Sequence, residues 1–521
     1  MPRPLLDQLE QWKSRFGPPG GGQLERLLAT AARRRFRDAA SLIRLHETAL
    51  FLRAYPRTPE VGRLADAILF SFAGRVSDLP AFEEPEISGI AGTSLTAVFS
   101  YEVARRLAAR HPRNLEVGWD RYDGIDKLGP VLRRFLLLLA EEWPVEAHVP
   151  YRQWIAAACR PGASDLAWLL ERLAAQPELF DTLDLPLAWH IGDTRISRSR
   201  LRLPGRKLYC HREPLLRRSD ISLARELEAP PIPVRRLPRP EARHILDLIL
   251  DTSAMRYREL YGFSHPDEGG VFHADAGRGV EIFFFGVPPA WRLPLRAYHG
   301  GMFFKNGVPA GYVELLSLFE RAEVGFNLYY TFREGESAWL YARLLRLFRQ
   351  VLGVTCFSVD PYQIGHENPE AVDSGAFWFY RKLGFRPVDP KVAALMDREE
   401  RRMSQTPGYR SSRRTLEKLA EGYMLFEAPS SQKGIWDNFH VRNLGLAVER
   451  KRGQTHFPAR SSGLAQLLSL IPDLPRWTPQ EKLAVANILR AKQSASEARY
   501  LRLMQRHPRL RAAFLALGTV H

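Results

Sequence analysis

From Met1 to about Ala229 the apolar residues recur at intervals of three and four, as in the run beginning at Gln23 and the LRRFLLLL stretch beginning at Leu132. That period gathers them on one face of a helix, so the segment is read as a mainly helical region. Gly17 to Gly22, Pro56, Pro59 and Pro112 interrupt the pattern, either by freeing the backbone or by removing an amide donor. Toward the end of the region the runs beginning at His190 and Leu208 are more extended in character and predict a short hairpin.

The stretch from Ala229 to Pro240 repeats proline and predicts a stiff polyproline-like linker. A helix is expected over Ala242 to Leu260, and then the period shortens. Runs rich in aromatic and β-branched residues predict strands over Val280–Val287, Leu295–Lys305, Val308–Leu318 and Ala322–Phe332. Asn306-Gly307 between the second and third is a strong hairpin signal, because both residues tolerate the positive φ of a tight turn. After Phe332 the helical period returns, with Trp339, Ala342, Leu345 and Phe348 on one face and Arg343, Arg346 and Arg349 on another. A buried strand is expected at Val354–Val359, a helix over Ala376–Leu383 closed by Gly384, a helical insertion from Asp389 to Arg414 and a last strand from Gly422. The organisation read from this is a helical region over 1–228, a linker over 229–240, an α/β domain of the α+β kind over 241–428 and a helical tail over 429–521.

Composition changes this picture only modestly. A hydrophobic fraction of 45% is that of a folded chain rather than a disordered one. The net charge of +17 would attract anions, whether nucleic acid or the phosphates of a small molecule. The arginines are scattered, however, so solvated helix faces explain the excess equally well. Cys159, Cys210 and Cys356 form no paired or metal-ligand spacing, so neither a disulfide framework nor a metal is expected. No stretch has the apolar length of a signal peptide or a membrane span, which predicts a soluble, cytoplasmic protein.

The chemistry centres on the order strand, short loop, helix, strand, loop, helix. Where Phe332-Arg333-Glu334-Gly335-Glu336-Ser337-Ala338 passes from strand to helix, the first amides of the helix lack partners and make an anion site. Gly335, Ser337 and Ala338 are small enough to let a phosphate approach. Arg333 either clamps that phosphate or faces solvent. The run SGAFWFYRKLGFRP from Ser374 to Pro387 resembles the closing motif of the GNAT superfamily of N-acetyltransferases, and it stands at a suitable distance from the loop.

That resemblance implies a mixed sheet splayed open near its centre, with the thioester arm of acetyl-CoA or another acyl-CoA in the gap. The pyrophosphate would sit on Arg333, Glu334, Gly335, Glu336, Ser337 and Ala338. Pantetheine would pair with the strand edge at Asn327, Tyr329 and Thr331. Tyr380 corresponds to the tyrosine that protonates the departing thiolate in that family; a purely packed ring is the alternative. Glu314 is the leading candidate for a general base, with Glu323 beside it. Family members place an asparagine near the start of the helix bearing the tyrosine, which here is either Asn368 or a position taken by Asp373. The chain departs from the family in having Phe332 at the first loop position and Ser337 at a small-residue position, and in an enlarged loop from Asp360 to Asn368. His366-Glu367-Asn368 reads as a polar loop, since three consecutive side chains cannot share one site.

The expected activity is acyl transfer from a CoA thioester to an amine of a small molecule, peptide or protein. Two alternatives stand beside it. One is a related fold that uses aminoacyl-tRNA, which positive charge suits. The other is a non-catalytic GNAT-like scaffold or nucleic-acid-binding protein.

Overall fold

Helix formation in the first part of the chain follows directly from its period. In the Gln23–Arg33 helix, Leu24, Leu27, Leu28 and Ala31 fall on one face and are buried. The Ala39–Ala54 helix starts where the Asp38 side chain accepts from the Ser41 amide, and the Pro59–Phe70 helix where Thr58 does the same for Val61. The structure, a computed structural model, describes residues 4–16, 22–76, 80–84, 86–142, 144–145, 149–192, 195–205, 207–256, 261–453, 463–494 and 496–519. The glycines at 17–21 and the end of the helix expected over Ala242 to Leu260 lie outside the described residues at 17–21 and 257–260; the helix itself runs Arg239–Met255.

The chain divides into two compact units. The first comprises Met1–Gly205, Cys210–Arg212 and Leu246–Ser264. It is mainly helical, as expected, with a three-stranded antiparallel sheet formed by β1 (Ser94–Val98), β2 (Leu115–Val117) and β3 (Pro186–His190) in the order β1-β3-β2. Leu187 and Trp189 of β3 enter a core with Leu95, Leu107, Leu132 and Phe180. His190 therefore ends a strand that pairs with residues 94–98 and 115–117, and the hairpin expected between it and Leu208 does not form. Two earlier strands already satisfy the backbone of β3 on both edges.

The second unit comprises Arg206–Tyr209, Glu213–Ile245 and His265–His521. Its centre is a nine-stranded mixed sheet among the described residues. The strands are β4 (Val234–Arg236), β5 (Phe272–Gly277), β6 (Val280–Phe285), β7 (Ala297–Lys305), β8 (Val308–Leu318), β9 (Arg321–Leu328), β10 (Cys356–Val359), β11 (Arg386–Pro387) and β12 (Met424–Glu427). They lie in the order β11-β12-β10-β9-β8-β7-β6-β5-β4. Asn306 and Gly307, with φ of 49° and 78°, turn β7 into β8 as their sequence predicts. β9 and β10 are parallel, which requires a crossover, and the Ser337–Leu352 helix supplies it.

The proline-rich stretch does not act as a free spacer. Val234 to Arg236, lying between Pro233 and Pro238, keep their amides and pair with Phe272 to Ala274 as an edge strand, a position that tolerates neighbouring proline. Gln350 of the crossover helix holds Ile232 by both amide and carbonyl at 2.8 Å. The arginine row of that helix is likewise not a solvated face: Arg343 and Arg346 share Glu226, at 3.1 and 2.7 Å. The tail is helical as expected but belongs to the second unit.

Register in the middle of the sheet depends on Gly311. A Cβ there would meet the Asn327 carbonyl at 2.2 Å and the Phe303 ring at 2.4 Å. Gly311→Ala is therefore expected to destabilise the second unit by about 1–3 kcal/mol, the range for forcing atoms into a packed core. A thermal melt that leaves this unit's transition unmoved would contradict that register.

Candidate functional site

The parallel pairing of β9 with β10 is brief. Arg321, Ala322 and Glu323 pair with Cys356, Phe357 and Ser358, and beyond that point β9 continues to Leu328 without β10 beside it. Strand residues alternate the direction of their backbone groups. The Tyr329 amide donates to the Ala310 carbonyl of β8 at 2.9 Å, so Asn327 and Tyr329 face β8 while Phe326 and Leu328 face the gap. The Phe326 amide is met there by Gln363 Oε1 at 3.4 Å. The expected edge of Asn327, Tyr329 and Thr331 is thus out of phase by one residue. Asn327 turns its side chain to the Tyr312 hydroxyl at 3.3 Å, and Thr331 is buried in the Tyr330–Phe332 turn that ends the strand early.

At the start of the crossover helix the Leu340 amide makes the first intrahelical bond, to the Glu336 carbonyl, so the amides of Ser337, Ala338 and Trp339 precede it. No side chain caps them. Gly335 and Ser337 are partly accessible, although the Gly335 amide is taken by the Phe332 carbonyl at 2.9 Å. Glu336 turns away from this end. Its carboxylate, 1% exposed, accepts from Arg278 Nε at 3.1 Å and the Leu216 amide at 3.1 Å and lies 3.5 Å from Lys305 Nζ. Burial pushes the Lys305 ammonium below its ordinary range. Glu336 is therefore a buried anchor rather than a phosphate contact. Phe332 is fully buried, Glu334 is exposed, and Arg333 is exposed and paired with Glu370. Asn368 caps the Pro369–Asp373 helix through Ala371 at 3.2 Å and donates to the Tyr362 carbonyl at 3.0 Å, while Asp373 pairs with Arg413 at 2.9 Å.

Tyr380 and Glu314 lie on opposite faces of the sheet. Tyr380 is buried, and its ring meets Tyr341 edge-on at 5.5 Å and Phe385 at 5.6 Å. Tyr341 in turn packs against Phe326 at 5.0 Å, which places this aromatic cluster on the crossover-helix side. Burial raises the Tyr380 hydroxyl well above its ordinary value and so favours the protonated form. Glu314 shares the other face with Gly300 and Gly325, its partners across β7 and β9, and accepts from the Tyr298 hydroxyl at 2.6 Å. Glu323 is on that face too, 3.7 Å from Arg296. Burial pushes both carboxyls upward.

A cleft of about 600 Å³ opens beside the end of β10. Among its lining residues are Arg321, Asp360, Tyr362, Glu367, Tyr423 and Trp436. Asp360 follows β10 directly and shares a hydrogen bond with the Tyr423 hydroxyl, whose pKa burial pushes up to about 12. Sequence reading missed this cleft because its walls come from five separate stretches. The one available signal was the enlarged loop from Asp360 to Asn368. Arg333 to Ala338 do not line it.

The first unit holds a Ser–His–Glu arrangement: His46 Nε2 lies 2.9 Å from Ser199 Oγ, and Nδ1 2.9 Å from Glu47 Oε1. Both His46 and Ser199 are fully buried, and Ser199 Oγ also accepts from the Ala91 amide at 3.0 Å. With no surface for a substrate to reach, these bonds serve the core. Among the described residues no group of three or more His, Cys, Asp and Glu could hold a metal ion, and no helix is long and apolar enough to cross a membrane. Compared with family models, curated proteins and solved structures, the chain has no match.

A raised carboxyl pKa makes the folded state hold its proton longer than the unfolded chain does. Stability from protonated Glu314 is fully present below its ordinary value of 4.5 and is lost as pH rises through the raised value. Glu314→Gln should therefore raise the melting temperature at neutral pH, with the gain vanishing below that ordinary value. Parallel melting curves across the range would show that Glu314 is not strained by its burial.

Proposed function

We propose that the second unit is an acyl-CoA-dependent N-acyltransferase, acetyl being the expected group. The observation that carries the reading is the early parting of β9 and β10, which turns the backbone of Phe326 and Leu328 into a gap beside an uncapped helix start. Side-chain amide Gln363 meets Phe326 there, the kind of group that an amide of a pantetheine arm would replace. Ser337 and Ala338 would offer their amides to a pyrophosphate, with Gly335 leaving room for it.

CoA thioesters supply an activated acyl carbon. Tyr380, held protonated by burial, donates to the sulfur as the C–S bond breaks, and a carboxylate on the far face, Glu323 or Glu314, takes the amine proton directly or through water. Peptide, protein and small-molecule amines all remain acceptors on this reading. The GNAT-like motif from Ser374 to Pro387 supports the assignment and does not identify the acceptor.

A second reading, a non-catalytic GNAT-like module, is favoured by the same Gln363 contact, which satisfies the gap without any ligand. Thermal shift of the full-length protein with acetyl-CoA, free CoA and tRNA at two salt concentrations separates the readings. A salt-tolerant rise with acetyl-CoA is expected. Stabilisation by RNA alone, at low salt alone, would replace the acyltransferase with a nucleic-acid-binding role.

Two substitutions test the roles. Gly335→Glu should weaken acetyl-CoA binding about tenfold or more, because a carboxylate would stand against phosphate; unchanged affinity in a folded variant would move the pyrophosphate elsewhere. Tyr380→Phe should lower turnover about 100-fold while acetyl-CoA affinity stays nearly unchanged, as for a lost proton donor. Equal loss of both would make Tyr380 a packing residue.

A further inference from the structure

We infer that the anion site at the start of the crossover helix has a second compartment, formed by Arg218, Lys382 and Arg410 with Arg217. Its ligand is a phosphate monoester on the ribose of the same nucleotide that carries the pyrophosphate, as coenzyme A has at its 3′ position. This rests on the acyltransferase reading above and narrows it: the thioester is recognised by its third phosphate, and the dephospho form is a poor ligand.

Like charge gathered without an acid to match it is the first argument. Lys382 follows the Ala376–Arg381 helix, and Arg218 Nη1 donates to the Lys382 carbonyl at 3.4 Å. That bond fixes the guanidinium beside the Lys382 ammonium, and Arg410 comes to the same place from beyond the Pro390–Gln405 helix. Burial, then Arg218 and Arg410, hold the Lys382 ammonium below its ordinary range. Among the described residues, none of Arg217, Arg218, Lys382 and Arg410 is in an ion pair. Neighbouring acids are already matched: Glu400 holds Arg381 at 2.7 Å, and Glu399 holds Arg402 at 3.2 Å. Asp220, on the turn after Arg217, accepts from the Arg217 amide at 2.7 Å and the Ser219 hydroxyl at 3.3 Å. Glu334, exposed on the loop before the crossover helix, is the other opposing charge. Four cations against these two carboxylates leave a positive surplus, which a polyanion would relieve.

Position is the second argument. The Leu216 amide donates to Glu336 Oε1 at 3.1 Å, and Glu336 immediately precedes Ser337 at the helix start. Arg218 lies two residues beyond Leu216, at most about 7 Å of extended chain. From the other side, Tyr380, two residues before Lys382, meets Tyr341 of the crossover helix at 5.5 Å. The cluster therefore lies beside the first turns of the helix whose Ser337, Ala338 and Trp339 amides have no side-chain cap. Each feature favours an anion for its own reason, one through unpaired donors and the helix dipole, the other through side-chain charge. A pyrophosphate, with adjacent phosphorus atoms, would cover the amides alone. A monoester on the ribose would reach the cluster, where Arg218 offers a planar fork and Lys382 and Arg410 add charge.

The test is isothermal titration of the full-length protein with three ligands. They are acetyl-CoA; acetyl-dephospho-CoA, which lacks only the ribose phosphate; and adenosine 3′,5′-bisphosphate, which lacks the thioester arm. Acetyl-CoA is expected to bind about tenfold or more tighter than its dephospho form. That advantage should shrink as salt rises, because exposed cations are screened, while the binding common to both persists. Lys382→Gln/Arg410→Gln, altered only at exposed positions, and Arg218→Gln should each weaken acetyl-CoA toward the dephospho level. The dephospho compound should bind these variants as it binds the parent. Equal binding of the two thioesters by the parent protein, or an advantage that survives in variants with the parent melting temperature, would overturn the inference and leave the acyltransferase in place. Adenosine 3′,5′-bisphosphate that binds and responds to the cluster variants, in a protein indifferent to both thioesters, would keep the phosphate site and remove the acyltransferase. Binding of none of the three would remove both.

Discussion

Everything at the candidate site depends on where β9 and β10 stop pairing. A parallel pair that ends after Glu323 and Ser358 leaves the backbone of Phe326 and Leu328 pointing at no strand. Buried amides and carbonyls must be satisfied, and the loop after β10 responds by placing Gln363 on Phe326. A side-chain carboxamide is a weaker and more displaceable partner than a strand, because it loses rotamer freedom to make one bond. The gap is therefore closed by something that can leave. That same loop carries Asp360 and Tyr362 to the cleft, so the element that meets the gap through Gln363 also shapes a cleft wall.

Buried charge holds the surroundings of this gap in place. Glu336 at the helix start is fixed by Arg278 and Lys305, and its carboxylate does not cap the first amides of the helix. Breaking such a group would be expensive, since one unpaired buried charge costs several kcal/mol. A second cluster works from the tail. Lys492 bonds Glu497 at 2.9 Å, Glu497 accepts from the Tyr298 amide at 2.8 Å, and Tyr500 donates to the Leu295 carbonyl at 2.7 Å. Tyr298 is the residue whose hydroxyl holds Glu314. The tail helices thus set the position of a carboxylate nearly two hundred residues earlier in the chain.

Local signals in the sequence were reliable where one residue type had one physical reason to be there. Asn306-Gly307 could be read because positive φ is tolerated by few residues, Val308–Leu318 because its strand is long, and the start of the crossover helix because Gly335 and Ser337 follow an aromatic run. Phase was harder. Asn327 and Tyr329 differ from Phe326 and Leu328 only by parity, and parity is fixed by the partner strand β8, which the sequence of β9 does not contain. Val234–Arg236 was hidden for a related reason: prolines on either side suggested a spacer, while the three amides between them were enough for an edge. Glu336 looked like part of an anion cradle because its cationic partners, Arg278 and Lys305, are remote in sequence.

The two faces of the sheet constrain any reaction proposed here. Tyr380 belongs to the aromatic cluster on the crossover-helix side, whereas Glu314 and Glu323 project from the opposite side. A proton donor and a proton acceptor separated by a continuous sheet cannot serve one acyl carbon. They can do so where the sheet is open, and under the proposed function the acyl carbon must lie in the gap beyond Glu323. Glu323 is the last residue of β9 to pair with β10, whereas Glu314 lies a full strand away on β8, so under the proposed function Glu323 is the better placed of the two to act as base. The uncapped start of the crossover helix is consistent with that placement: under the proposed function it would supply the positive end that a pyrophosphate needs.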